Sequence, residues 1–556
     1  MNSHLANAAR AEYRAILTLA VAEGRARPLV LPICLLGPFV VPTLWLAVPH
    51  SRRGPWMRVA TWLVVAFVVV FDADLVWRTS STNMACAYGT GLMACWGIIS
   101  TLNVLVWNEP QVDAARIIRR RKVRGADGKP AAAANGHASQ HDSNGTADVN
   151  GARDGLRQRK EDMSLVEPPD GSPTETRATE SEYEHVWQPF PEHAPFLERL
   201  NWALDMTTNF RFTGWNWSIS AIPRPKIPST RHIPDGTPVD MATIPTVTEV
   251  GYRRCLTTSD FLRDRLRTIA VTYLALDFLA VFMTKDPYFI LGPDHHLLEL
   301  VPLPSHLQPL PLWALRTYRH LFSLAGVLCA VTGIFSVNDL AQYYLASYIF
   351  PARRELYQHA STFGSFTPVL DRGLAGWWGS WWHQSFRVQF AAPARWLLRH
   401  GYIERGTSVA TVVALAVSFA QSGVLHAAGA MSSIPRVKLW RSPVFFLLQA
   451  VGILIQYGIS SLASRYILPL LAGRKIPAVL LRTANLVFTL AWLYATAGVF
   501  TDDMASTGVW LLEPVPFSFF RAFGFGYPGD RWWRWDEHYF PRWHSGEHWW
   551  QSGIAV

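Results

Sequence analysis

The sequence predicts an all-α fold, a multi-pass transmembrane helix bundle of about eight to nine spans carrying a disordered cytosolic loop. Three observations carry this. Of the 556 residues only 17% are charged and 50% are hydrophobic, whereas an ordinary soluble domain is about one quarter charged. The apolar residues are gathered into stretches of about 20, the length that crosses ~30 Å of hydrocarbon. Basic residues stand beside those stretches, at Arg52, Arg53, Arg58, Arg119 to Lys122, Arg353 and Arg354, where they anchor a membrane protein and set its orientation. The formal net charge of +10 therefore faces lipid headgroups, and nucleic acid is rejected as a partner.

The chain opens on a polar, Arg-containing stretch, Met1 to Arg27, that runs into apolar sequence without a small-residue cleavage site. This predicts a retained first span and no removed signal peptide. Expected spans are Leu29 to Val48, Arg58 to Trp77, Met84 to Trp107, Arg267 to Met283, Leu321 to Ile349, Ser408 to Ala430, Val444 to Ile467 and Val479 to Phe500, with a ninth near Val509 to Phe520. Their Gly, Pro and small polar content suits helices that pack on one another. Residues 1–110 hold the N-terminal spans, 111–190 a basic and then disordered loop, 191–530 the membrane core, and 531–556 a Trp-rich tail.

Between Gly125 and Tyr183 the composition turns to Gly, Ala, Asn, Asp, Ser, Pro and Glu with almost no aromatics. Such a segment buries too little apolar surface to order itself. The basic run Arg116 to Arg124 before it puts the loop in the cytosol, so Asn144 in Asn144-Gly145-Thr146 stays unglycosylated. Counting onward, 351–406 is cytosolic, in keeping with its arginines. Arg436, Lys438 and Arg441 then fall on the lumenal side, which is the wrong charge for that side. Either a span is miscounted or one segment re-enters without crossing.

The five cysteines, Cys34, Cys86, Cys95, Cys255 and Cys329, form no Cys-x-x-Cys pair, so neither a disulfide framework nor a zinc site follows. The tail interleaves Trp with Arg, His and Glu, as at a headgroup-level aromatic belt. His538, His544 and His548 do not make a metal site, because His544 and His548 at i,i+4 have no clear third ligand.

Three places set polar groups where polarity is expensive. Asn209 to Trp217 combines two Asn, Arg211 and two Trp around Gly214; an interfacial turn with Trp anchors gives the same composition. Trp377 to Arg387 holds four Trp with His383, Gln384 and Arg387, an aromatic surface with donors and charge that suits a phosphorylated ligand such as a CoA thioester. A headgroup-level amphipathic helix is the plainer reading. Gln421 to Ala428 places His426 inside an apolar run among Ser422, Gly423, Ala427 and Ala428. An ionisable group there is a functional candidate, kept neutral as a general base must be, although a satisfied core histidine fits too. Asp72, Asp74, Asp277, Asn338 and Asp339 suggest an ion path, but without an inverted repeat. Walker, Gly-x-Ser-x-Gly and His-Glu-x-x-His motifs are absent.

In this order the three places resemble the wax synthase-domain branch of the membrane-bound O-acyltransferases, in its fungal form. Asn209, Arg211, Gly214, Trp215, Asn216 and Trp217 match an Asn-x-Arg-Gly-x-Gly-Trp-Asn-Trp motif, with Phe212 in place of the first Gly. Trp377, Trp378, Gly379, Trp382, His383 and Gln384 match an aromatic-Trp-Gly-x-x-Trp-His-Gln motif, and Ser422, Gly423, His426 and Ala427 match Ser-Gly-x-x-His-Ala. Ser380 and Trp381 stand where relatives often carry basic residues, which weakens a CoA-phosphate contact there. The resemblance implies acyl transfer from acyl-CoA, acetyl-CoA in the fungal form, to the hydroxyl of a terpenoid or meroterpenoid, at the membrane of the endoplasmic reticulum. His426 is then the general base and His383 the second polar group, with Asn209, Arg211, Trp215, Asn216, Trp217, Trp378, Trp382, Gln384 and Arg387 toward substrate. No metal or tightly bound cofactor is implied; the partners are membrane lipid, the small-molecule alcohol and acyl-CoA. A long-chain-alcohol wax ester synthase and a transporter of lipids or small molecules are the alternatives.

Overall fold

A computed structural model describes residues 2–50, 54–122, 182–434, 437–467, 469 and 476–556. The loop at 123–181, with Asn144, and Arg52, Arg53 and Arg436 lie outside them. Among the described residues seven helices are long and apolar enough to cross a membrane. After an N-terminal helix α1 (Asn2–Ala22), they are α2 (Pro55–Arg78), α3 (Met84–Leu102), α5 (Thr258–Met283), α6 (Leu312–Tyr344), α7 (Ser408–Ser432), α8 (Arg441–Leu462) and α9 (Ala478–Ser506), with the shorter α4 (Phe196–Thr207) preceding α5. The transmembrane bundle is borne out, and the helices begin earlier than expected where Arg263, Arg265, Arg316 and Arg319 lower local hydropathy but find partners.

Two expected spans take other forms. Val509 to Phe520 is a single 3-10 turn and a bend. Leu29 to Val48 yields a 14-residue apolar helix, Ile33–Leu46, broken by Pro38 and Pro42 into 3-10, π and α pieces. At one end the chain beside it pairs with Thr79 and Ser80. At the other, the Leu46 carbonyl accepts from Gln111. This segment therefore runs between the two ends of the bundle, with Cys34, Gly37, Pro38, Pro42 and Thr43 buried and Val40 and Leu44 exposed, and its irregular backbone is tolerated where it packs on protein. Its Gly37 lies against Asp72, and a Cβ there would come within 2.1 Å of the carboxylate.

Extramembrane structure differs at the two ends. One end carries the antiparallel sheet β4 (Ala115–Arg121), β5 (Tyr183–Pro189) and β6 (Thr237–Pro238), together with residues 351–406. Arg353 and Arg116 meet there on the buried Asp205, at 2.8 and 3.4 Å. The opposite end holds α1, the loop 284–311 and the tail, whose strands β7 (Arg542–His544) and β8 (Gly553–Ala555) continue into β2 (Val30–Leu31). Here Glu513 collects Arg10, Arg521 and Arg534 at 2.7, 3.0 and 2.7 Å. The charge problem of the sequence is eased at this end too. Lys438 and Arg441 share Asp294, at 2.9 and 2.8 Å, a pairing that a count of formal charges along the chain misses.

Small residues set the closest helix contact. A Cβ on Gly91 of α3 would meet the Ala428 carbonyl of α7 at 1.9 Å. Ser432 then bridges the two helices, accepting from Gly91 N–H at 2.9 Å and donating to the Ala87 carbonyl at 2.7 Å. Van der Waals approach with a few hydrogen bonds is how helices associate in lipid, where apolar burial between them gives no advantage.

Candidate active site

His426 points from α7 into the bundle. Its ring stacks on Phe446 of α8 at 5.0 Å and 11°, and Phe500 of α9 meets it edge-on at 5.2 Å. Tyr88 of α3 is hydrogen-bonded to Nδ1 at 3.0 Å, and this leaves Nε2 as the free ring nitrogen. The site is shaped by glycines: a Cβ on Gly429 would press the Tyr88 ring at 3.0 Å, and one on Gly423 would strike Pro443 at 2.6 Å. His426 as a whole is partly buried between the helices.

His383 arrives from a segment that folds back toward the bundle. Pro368 opens the helix Thr367–Gly376, which breaks at Gly373, with φ of 58°. Only glycine fits, since a Cβ would lie 1.9 Å from the amide of Gln456. That amide fastens the break, accepting from Leu374 N–H at 2.9 Å and donating to Asn485 of α9 at 3.0 Å. A π turn, Trp377–Trp381, follows, and His383 then sits among Trp382, Phe386, Phe363 and Phe335 at 5.5 to 6.3 Å. Its Nδ1 is buried without a partner among the described residues. Burial, then the Arg211 and His426 charges, push the His383 imidazole down to about 3, so it is neutral at physiological pH.

The aromatic rings connect the two histidines. Trp378 lies 5.9 Å from Phe446, which carries His426, and 5.5 Å from Trp382, the neighbour of His383. On the other flank Phe210 and Phe386 close over Trp96 of α3, at 5.2 and 4.8 Å.

The remaining expected residues brace this arrangement. Arg211 is buried and donates to the carbonyls of Ser361 and Thr362, both at 3.0 Å, while its guanidinium lies 5.3 Å from the Phe335 ring. Asn209 closes its own turn through Thr213, at 3.0 and 3.1 Å. Asn216 takes Ala115 N–H at 3.0 Å and donates to the Asp113 carbonyl at 2.7 Å, tying the motif to β4. Trp215 is 1% exposed against Trp202, and Trp217 packs on Phe212 at 5.6 Å. Gln384 donates to the Trp378 and Trp382 carbonyls at 2.9 and 2.6 Å, and Arg387 donates to the Gly379 carbonyl at 2.9 Å. Thus Trp378, Trp382, His383 and His426 gather at the interior, and the other members hold loops.

Sequence reasoning missed Tyr88, Phe446 and Phe500. The one local signal is a phenol in an otherwise apolar span, where a hydroxyl needs a partner. Of the residues that suggested an ion path, Asp74 takes Arg27, Asp277 takes Ser518 Oγ, Asp339 takes Arg265 and Asn338 takes Gln342, while Asp72 is buried beside Gly37 and Gly97 with no hydrogen-bond partner among the described residues. No cluster of three or more metal-binding side chains occurs among the described residues.

The membrane bound O-acyl transferase family matches residues 360–448, a stretch that starts at the loop Arg211 clamps, includes both histidines and ends just beyond Phe446. Over that stretch the chain is similar to the membrane-bound O-acyltransferases. Among curated relatives, the O-Mevalon transferase macI of Penicillium terrestre is 24% identical over 241 residues, 42% of this chain and 46% of that protein. The match therefore spans less than half of the relative's length. No solved structure matches the chain.

Proposed function

We propose that the protein transfers an acyl group from acyl-CoA to the hydroxyl of a small alcohol within the membrane. The observation that carries this is His426, set deep in the bundle with Nδ1 held by Tyr88 and joined by Trp378 and Phe446 to a second histidine with an unmet ring nitrogen. With Nδ1–H donating to the Tyr88 oxygen, the Nε2 lone pair takes the acceptor proton as the hydroxyl oxygen attacks the thioester carbonyl. The carbon–sulfur bond then breaks, and the protonated His426 returns the proton to the departing CoA thiolate. His383, neutral, orients the acceptor or donates to the developing oxyanion. Trp378 and Trp382 line the apolar passage. Residues 351–406 face the cytosol, where acyl-CoA is supplied, and the membrane is that of the endoplasmic reticulum.

Acetyl-CoA as donor and a terpenoid or meroterpenoid as acceptor follow from the fungal form of the motifs, and a fungal relative named as an O-transferase agrees with transfer to oxygen. Wax ester synthesis differs only in the length of both substrates. Transport is less well supported, because Asp74, Asp277 and Asp339 are each partnered locally and the buried, unpartnered Asp72 stands apart from them. The test is transfer of labelled acyl groups from acetyl-CoA and from a long-chain acyl-CoA to terpenoid and long-chain alcohols in microsomes containing the protein. His426→Ala should abolish transfer at unchanged protein level; full activity in that variant defeats the assignment.

A further inference from the structure

A second polar site lies at the opposite end of the bundle from the His383 segment. It is a cavity of about 510 Å³ between the start of α6, the start of α8 and the last third of α9, a volume in the range of small-ligand sites. Arg316, Arg319, His320, Arg441 and Asp502 line it, with Leu312 and Leu315 as apolar wall. Arg316 and His320 are four and eight residues into α6, about 6 and 12 Å from its start.

Arg319 is matched by Asp286 in a two-bonded pair at 2.8 and 2.9 Å. Arg441 and Lys438 share Asp294, while Asp502 accepts from the Tyr288 hydroxyl at 2.8 Å. Arg316 forms no ion pair among the described residues, and its nearest opposite charge is felt only at a distance, on Asp502. Its contacts are the Ala495 carbonyl at 3.4 Å and the Tyr494 ring at 5.2 Å. Four cations thus stand among four carboxylates, Asp286, Asp294, Asp502 and the buried Asp503 that faces Arg441, and Arg316 is the cation among them that forms no ion pair among the described residues. Beside Arg316, His320 Nδ1 is buried without a partner among the described residues.

Gly498 keeps the space open. A Cβ on it would meet Arg316 Nη2 at 3.2 Å and His320 Nε2 at 3.5 Å. An arginine that merely extended toward headgroups along an open helix surface would leave that position indifferent to side-chain size. Leu312 of the cavity wall is 86% exposed and Leu321, farther along α6, 57%, a surface on which an acyl chain lies without loss.

We propose that this cavity binds the phosphate headgroup of an anionic membrane lipid, with Arg316 as its counter-charge, His320 as an added donor or acceptor, and the chains against Leu312 and Leu321. A guanidinium suits phosphate because its planar donors engage two oxygens at once. Phe446 and Phe500, whose rings lie against His426 at 5.0 and 5.2 Å, do not line the cavity, and neither does His426.

The full-length protein, purified in phosphatidylcholine micelles with phosphatidylglycerol added, is examined by native mass spectrometry. The wild type should retain one phosphatidylglycerol, Arg316→Gln and Gly498→Leu should each lose at least ten-fold in occupancy, Arg316→Lys should keep part of it, and Arg482→Gln, at the other end, should be unchanged. Inorganic phosphate tested alone separates the sources. Retention of the lipid without phosphate binding supports the proposal, whereas phosphate binding that depends on Arg316 in lipid-free detergent overturns the lipid assignment. Equal lipid retention by the wild type and both disabling variants overturns the site itself.

Discussion

Tyr88 and His426 are 338 positions apart in sequence and 3.0 Å apart in space. If Nδ1–H of His426 donates to Tyr88, that bond fixes the tautomer and strengthens as the ring gains a proton. A hydrogen bond to a charged group is worth about 1.5–3 kcal/mol, or about 10- to 100-fold in rate. Tyr88→Phe should therefore lower kcat by that factor with little change in KM, measured with the acceptor that the wild type uses. His383 makes a different prediction. Its imidazole titrates near 3 when folded and near 6.5 when unfolded, so the unfolded state binds the extra proton as pH falls below about 6.5. This stability is present at neutral pH and is lost on acidification. The fall in Tm between pH 7 and pH 5 should be smaller in His383→Asn than in the wild type.

The segment bearing His383 is secured by polar side chains that α8 and α9 present inside the membrane. Gln456 reaches the Gly373 break, and Asn485 donates to the Leu370 and Asp371 carbonyls at 2.9 and 3.0 Å. Removing Gln456 leaves Leu374 N–H buried and unmet, a cost of about 1–3 kcal/mol. Gln456→Leu should lower thermal stability by that amount and reduce activity more than it reduces protein level. Neither polar residue stood out in the sequence, and their target was hidden as well, because Gly373 breaks a helix that the local sequence otherwise supports. The first motif illustrates the same limit. Composition flagged Asn209, Trp215 and Asn216, yet only the fold shows that their side chains are turned onto backbone and onto Trp202, bracing β4 and the loop 360–362.

On the scale of the whole molecule, the N- and C-terminal segments are locked together at Glu513. Burial works to raise its pKa, but Arg10, Arg521 and Arg534 outweigh this and hold its carboxyl below the usual carboxylate range. Breaking a buried ion network by removing one member costs about 3–5 kcal/mol. Glu513→Ala should therefore cause cooperative loss of folded protein in detergent, followed by fluorescence-detected size exclusion, while Glu23→Ala, at an exposed pair, should not. The 123–181 segment makes the opposite prediction. Its ends leave from adjacent strands, since Arg121 pairs with Tyr183, so a two-residue Asn-Gly turn can replace it without moving the bundle. Transferase activity and Tm should survive that replacement; loss of activity at normal protein level would mean that the segment acts in the reaction.

The sequence by itself determined the membrane bundle, most span positions and the three chemical segments, because hydrophobic length and clustered polar types are local properties of the chain. It misjudged Leu29 to Val48 and Val509 to Phe520, where prolines and the shelter of neighbouring helices decide whether an apolar run becomes a straight span. Tertiary structure alone decided which motif residues face the interior, which brace loops, and that Tyr88, Phe446 and Phe500 surround His426. Those outcomes depend on distances between segments hundreds of residues apart, and no pattern along the chain encodes them.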